Sequence, residues 1–369
     1  MRNPISYILL LIFMVAVSCS KSADIVNNQD IIFSATNLTI AVADLKSTQR
    51  AQDLNGAYLF ENQTDFQDKE NNGGFFNVMA YKSGESTAHF TDPTTVFYHT
   101  DTQNPAWYIY NPDTKEIESR YWPVSYSLDF FAYMPLQRPT SGQNLITQNV
   151  DPMTYVSDFD YDETTKSPTF KCKNLPLDKS GQDTAKEFIY AWSTNQSLNS
   201  IKETGDRVPL TFRHAMSAVS VVIGGAHAGT KINSLGFNNI YNNGTFNVVN
   251  NEWTLWMPYG VTSLKNLSIE PLNHIIPDTI QIGYTYGPYL VLPQEFGDNV
   301  EIAVNFTWRS NDNPVAKKLK DVLTTQRLKW ESGKRYIYTV VLGDSAEDIM
   351  VNVKVEPWGV GGNQEIEIK

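Results

Sequence analysis

The chain has 369 residues, of which 40 are acidic and 29 basic, and its net charge of −11 is spread along the sequence rather than blocked. That balance repels nucleic acid and anionic headgroups, and no basic patch with interleaved aromatics offsets it, so nucleic acid is not expected as a partner. The two cysteines, Cys19 and Cys172, form no CxxC pair, so neither a disulfide framework nor a zinc cluster is indicated.

Arg2 is the one charge before an apolar run from Ile8 to Val17. That run is shorter than the roughly 20 apolar residues a membrane-crossing helix needs, and with its basic start it reads as a secretory signal over residues 1–18. Ala16-Val17-Ser18-Cys19 resembles a bacterial lipobox, which implies acylation of Cys19 by the lipoprotein-processing machinery and a place on the outer membrane. An ordinary signal peptide cut near Ser18 is the other reading. After residue 17 no apolar stretch is long enough to span a bilayer. About 350 residues then remain, a comfortable length for two domains.

From there the pattern is β nearly throughout. "NLTIAV" alternates Leu38, Ile40 and Val42, and the polar "DLKSTQRAQDLNG" that follows has the character of an exposed, protease-accessible loop around Arg50 and Ala51. "WYIYNPDTKEIES" predicts a hairpin with Pro112 in its turn. In "RYWPVSYSLDFFAYMP", Trp122-Pro123 ends one strand, and Tyr121 and Phe130 are expected in the core. Cys172, in "TFKCKNLP", reads as a small apolar residue on an alternating strand. The polar stretch 194–207 is the expected seam between a domain at 31–200 and another at 206–369, with 19–50 a lipidated leading segment.

His214, in "TFRHAMS", is expected as a hydrogen-bonded structural residue at a strand start. "AMSAVSVVIGG" and "RYIYTVVLG" carry β-branched residues on both faces, as central sandwich strands do. Asn243-Gly244 predicts a hairpin turn. "VEIAVNFTW" alternates Val300, Ile302, Val304, Phe306 and Trp308 with smaller or polar residues, and "DIMVNVKVEPW" puts Ile349, Val351, Val353 and Val355 on one side. "NPVAKKLKDVLTTQRLKW" supports one short helix at most. Trp330 and Gly333 read as a turn leading into a strand, and Trp358 as an aromatic plug. The tail beyond it carries Gly361-Gly362 and then Ile366 and Ile368.

Catalytic patterns are missing: the five histidines form no HExxH pair, and neither a GxSxG elbow nor a Walker loop occurs. Asp158, Asp160 and Asp162 occupy the odd positions of a calcium loop, but Glu163 and Thr169 stand where an EF-hand needs glycine and glutamate. No enzyme, cofactor or metal is expected.

Five stretches in order resemble the fimbrillin family of Bacteroidales, the subunits of type V pili: "RYWPVSYSLDFFAYMP", "VPLTFRHAMSAVSVVI", "LVLPQ", "KWESGKRYIYTVVL" and "VKVEPW". The resemblance implies two tandem transthyretin-like β-sandwich domains and a role in fimbriae, for adhesion or biofilm formation through host or bacterial surface ligands. It also implies that a surface protease cuts after an arginine in the early loop, here between Arg50 and Ala51. The first strand (Leu38, Ile40, Val42) and its lipid would then leave, and a strand from another fimbrial subunit would fill the gap. Ile366 and Ile368 are the candidate donor tail. A stationary glycan-binding surface lipoprotein shares the lipobox and the aromatics, and would need coplanar exposed rings such as Trp253 and Trp256.

Overall fold

A computed structural model describes residues 26–37, 75–90, 94–99, 106–111, 114, 116–134, 155–185, 187–224, 227–269, 272–276, 284–308, 311–323, 328–342 and 349–358. The fold is all-β, as the period-two patterns require. The first twelve strands are β1 (Val26–Asp30), β2 (Ile32–Asn37), β3 (Phe75–Lys82), β4 (Thr94–His99), β5 (Ala106–Asn111), β6 (Glu116–Ile117), β7 (Tyr121–Pro123), β8 (Leu128–Met134), β9 (Val156–Asp162), β10 (Ser167–Cys172), β11 (Ile189–Gln196) and β12 (Val208–His214). A short helix, α1 (Lys179–Thr184), precedes β11 and is capped by Asp178, whose side chain accepts from Gly181 N.

One sheet runs β2-β12-β11-β8-β3-β4-β5-β6, and an extra pairing of β2 with β5 closes seven of these strands into a ring. Its interior holds Phe33, Phe76, Trp107, Trp122, Phe130 and Phe212, all buried. The expected hairpin is present as β5–β6. Trp122 and Phe130 lie in the core, but Tyr121 is 40 % exposed, a correction to its expected place. Successive strand residues point to opposite faces, so an inward Trp122 turns Tyr121 outward.

The remaining strands are β13 (Ser217–Gly224), β14 (Lys231–Ile240), β15 (Gly244–Asn247), β16 (Glu252–Leu255), β17 (Lys265–Ile269), β18 (His274–Ile275), β19 (Tyr284–Val291), β20 (Gln294–Glu295), β21 (Glu301–Trp308), β22 (Asn311–Lys318), β23 (Lys329–Trp330), β24 (Lys334–Val341) and β25 (Met350–Pro357). The helix α2 (Leu319–Val322) follows β22 and is the short helix expected there. Sheets β19-β13-β24-β25 and β17-β14-β21-β22 share a core of Val219, Val221, Phe237, Ile302, Val304, Trp330 and Tyr338. β13 and β24 are the inner strands of the first of these sheets, as their β-branched composition indicates.

A third cluster joins residues from both halves of the chain. The hairpin β15–β16 pairs with β10, and the sheet β16-β15-β10-β9 shares a cluster of buried residues with the ring strands β3, β8 and β11: Met79, Phe131, Tyr133, Phe170, Phe188, Tyr190, Phe246 and Trp358. The strand that follows the polar stretch 194–207, β12, belongs by its hydrogen bonds to the ring before it.

Asn243-Gly244 is not a hairpin turn, a second correction. Asn243 is buried between β14 and β15, where its Oδ1 accepts from Asn174 N at 2.8 Å and its Nδ2 donates to Asn242 Oδ1 at 2.7 Å. The chain changes sheets there, and buried amides satisfy the backbone groups that leave the ladder. The turn of the β15–β16 hairpin lies further on and contains Asn251, with φ of 54°.

Gly236, in mid-β14, faces Ser268 of β17 so closely that a Cβ would lie 1.7 Å from Leu267 O. Gly236→Ala is expected to push β17 off its ladder and cost about 3 kcal/mol, the upper range for overpacking. Urea unfolding checks this, and a loss below about 1 kcal/mol contradicts it.

Candidate functional site

The feature that stands apart is β2. It is six residues long and pairs on both sides. Toward β12 it runs parallel, with Phe33 opposite Val208 and Asn37 opposite Phe212. Toward β5 it runs antiparallel, with Ile32 opposite Tyr108 and Phe33 opposite Trp107. The other ring pairings are antiparallel, so β2–β12 is the one parallel pairing of the ring. Without it, β12 and β5 would each present an unpaired edge, and the ring would be open along its length.

The side chains match the backbone. Ile31 and Phe33 are buried, while Ile32 and Ser34 are half-buried on the alternate face. Phe33 lies edge-on to Phe130 at 5.5 Å and to Phe76 at 6.1 Å. Just before β2, the Ile31 N–H donates to Arg120 O at 2.6 Å, and β1 pairs with β7. The leading segment is thus held twice: outside the ring by β7, and within it by β12 and β5.

The strand the alternation of "NLTIAV" suggested begins where β2 ends. Leu38, Ile40 and Val42 lie outside the described residues, as do Cys19, Arg50, Ala51, Ile366 and Ile368. The signal missed in the sequence was "IIF" at 31–33, where Ile31 and Phe33 share a face. A contiguous apolar triplet hides its period of two.

A second feature sits where β12 ends. His214 and Glu187 are both buried, and His214 Nδ1 hydrogen-bonds to Glu187 Oε1. The imidazole stacks on the Trp358 indole, with centroids 4.6 Å apart and planes 7° apart. Trp358 N donates to Gly333 O at 2.7 Å, and Gly333 N to Met216 O at 2.9 Å. Gly333 has φ of 70°, a left-handed turn that a side chain would strain. His214, Gly333 and Trp358 therefore have structural roles, joined at one point, although His214 ends β12 rather than starting a strand as expected.

Trp253 and Trp256 do not form an exposed platform. Both are half-buried; Trp253 Nε1 donates to Ala215 O at 2.6 Å, and Trp256 Nε1 to Thr245 Oγ1 at 3.3 Å. In the acidic hairpin β9–β10, Asp162 accepts from Thr164 N and from Thr165 Oγ1, which closes the turn. Cys172 is buried on β10, and burial pushes its thiol well above the usual range. Maleimide is expected to label Cys172, located by peptide mapping, only after denaturant is added. Labelling of the folded protein within minutes would contradict its burial.

The fimbrillin-like family model matches residues 43–358, and the chain belongs to that family. A fimbrial protein from Bacteroides vulgatus is similar in structure, with a TM-score of 0.54 at 14 % identity, over 89 % of this chain and 99 % of that one. The tip fimbrial protein Mfa3 from Porphyromonas gingivalis matches at 10 % identity and a TM-score of 0.38, over 79 % of this chain and 96 % of that one. The fimbrial anchor protein Mfa2 from the same organism matches at 12 % identity and 0.37, over 77 % and 89 %. No curated protein matches.

Proposed function

We propose that this chain is a non-catalytic subunit of a cell-surface fimbria, assembled with other subunits by exchange of its first strand. In this reading Cys19 carries a lipid that tethers the exported protein to the outer membrane. Cleavage between Arg50 and Ala51 by a surface protease then severs the leading segment from the body. The observation that carries the proposal is the position of β2, which closes the ring yet lies upstream of the cut. Its departure opens an apolar groove with a hydrogen-bonding edge on each side, and an extended segment of another subunit supplies what is missing.

Three other sheet edges support this reading by contrast. β9 carries Asp160 and Asp162, β22 carries Pro314, Lys317 and Lys318, and β25 carries Lys354, Glu356 and Pro357. Charges and prolines of this kind discourage edge-to-edge pairing. The β2 gap has an aromatic interior instead, so association is directed to it.

A reversible lock tests the proposal. Ser34 and Pro209 face each other across β2 and β12, both half-buried. The S34C/P209C protein is expected to assemble when reduced and to remain monomeric when oxidised, even after cleavage. Equal assembly in both states would refute exchange at β2.

A further inference from the structure

We propose that the gap left by β2 selects its incoming strand by an aromatic side chain at the Phe33 position; this rests on the strand-exchange reading above. The two inward residues of the leading segment, Ile31 and Phe33, have different surroundings. Ile31 sits at the end of the gap, where its backbone meets Arg120. Phe33 enters a slot walled by rings from two other strands. Phe76 of β3 and Phe130 of β8 meet it edge to face, with interplanar angles of 83° and 84°. Behind them Phe76 packs on Trp107 of β5 at 5.1 Å and on Phe212 of β12 at 5.2 Å, and Phe130 packs on Trp122 at 5.8 Å.

These walls brace one another and belong to strands that stay when β2 goes. A slot of this kind cannot collapse onto a small residue, so alanine there leaves a cavity. An aliphatic residue recovers the burial but loses the edge-to-face contacts with both rings. The outward positions Ile32 and Ser34 are half-buried and make no comparable demand. The partner is therefore an extended segment of pattern aliphatic–any–aromatic, running parallel to β12 and antiparallel to β5. Period-two geometry delivers both side chains inward only in that register.

The test uses the full chain with a site-specific protease sequence replacing residues 48–52, cleaved to completion. The probe is a fluorescein-labelled peptide of residues 26–37, followed by polarisation. The parent peptide is expected to enter the cleaved protein and not the uncleaved one. The Phe33→Ala peptide should bind at least about 30-fold more weakly, Phe33→Leu about 10-fold and Ile32→Ser within about 3-fold. A smaller loss for Phe33→Ala, with the parent peptide binding, overturns aromatic selection and leaves strand exchange standing. Failure of every peptide to enter the cleaved protein overturns strand exchange and this inference with it.

Discussion

His214→Ala is expected to destabilise the protein by about 3–5 kcal/mol, because it breaks a buried side-chain pair by removing the imidazole that Glu187 hydrogen-bonds. Both side chains are almost wholly withdrawn from solvent, at 3 % and 0 % exposure, so water cannot replace the lost partner. The substitution also removes the imidazole face on which the Trp358 indole stacks, and with it a contact that ties the end of β25 to the end of β12. Removing both members should be much milder. A Glu187→Leu/His214→Leu protein is expected within about 1–2 kcal/mol of the parent, since replacing both members of a buried polar pair by apolar side chains leaves neither member without the other. Urea unfolding of the four proteins in a double-mutant cycle measures the coupling. Additive single and double losses would mean that the pair does not act as a unit.

Phe33→Ala is the second large effect, about 3–5 kcal/mol for a phenylalanine removed from a packed core. Its distribution matters more than its size. Phe33 is held by rings on β3 and β8 and by backbone pairing to β12 and β5, so the loss should be local before it is global. Amide exchange should quicken first in β2 and in the facing amides of β5 and β12, while β13, β21 and β24 keep their protection. Phe33→Leu should recover more than half of the stability, because it refills most of the cavity. Uniform loss of protection across the molecule would argue that β2 is no separable unit of the fold.

These effects differ in how far the sequence announces them. The alternation in β21 and β25 is visible by eye, because each strand has one face in the core: Ile302, Val304 and Phe306 are buried, as are Val351 and Val353. His214 and Trp358 were recognisable as structural residues, but their stacking was not, since it joins the ends of two strands distant in sequence. The parallel pairing of β2 with β12 has no local signature. Strand partners are chosen by which faces must be buried together, and that choice is made in three dimensions. "NLTIAV" shows a cleaner alternation than Ile31-Ile32-Phe33, yet the described ring is closed by the latter. Asn243-Gly244 shows the same limit, because a favourable turn dipeptide was overridden by a change of sheet that buries Asn243. Local chemistry proposes a turn, and the tertiary hydrogen bonds decide it.

The ring closed by β2 joins the two halves of the functional account. A strand that supplies two hydrogen-bonded edges and an aromatic plug is costly to lose, so it stays until something replaces it. In the proposed assembly, the cut at Arg50 removes only its covalent link to the body. In that proposal, loss of β2 and gain of a partner strand are one exchange, in which buried apolar surface is never left facing water.

The N-terminal residue of the protein recovered from the cell surface tests this most directly. Material in high-molecular-weight assemblies is expected to begin at Ala51, with the segment bearing Cys19 and β2 absent. Assemblies whose subunits still begin at acylated Cys19 would contradict the account, because β2 would then remain in its ring and no groove would open.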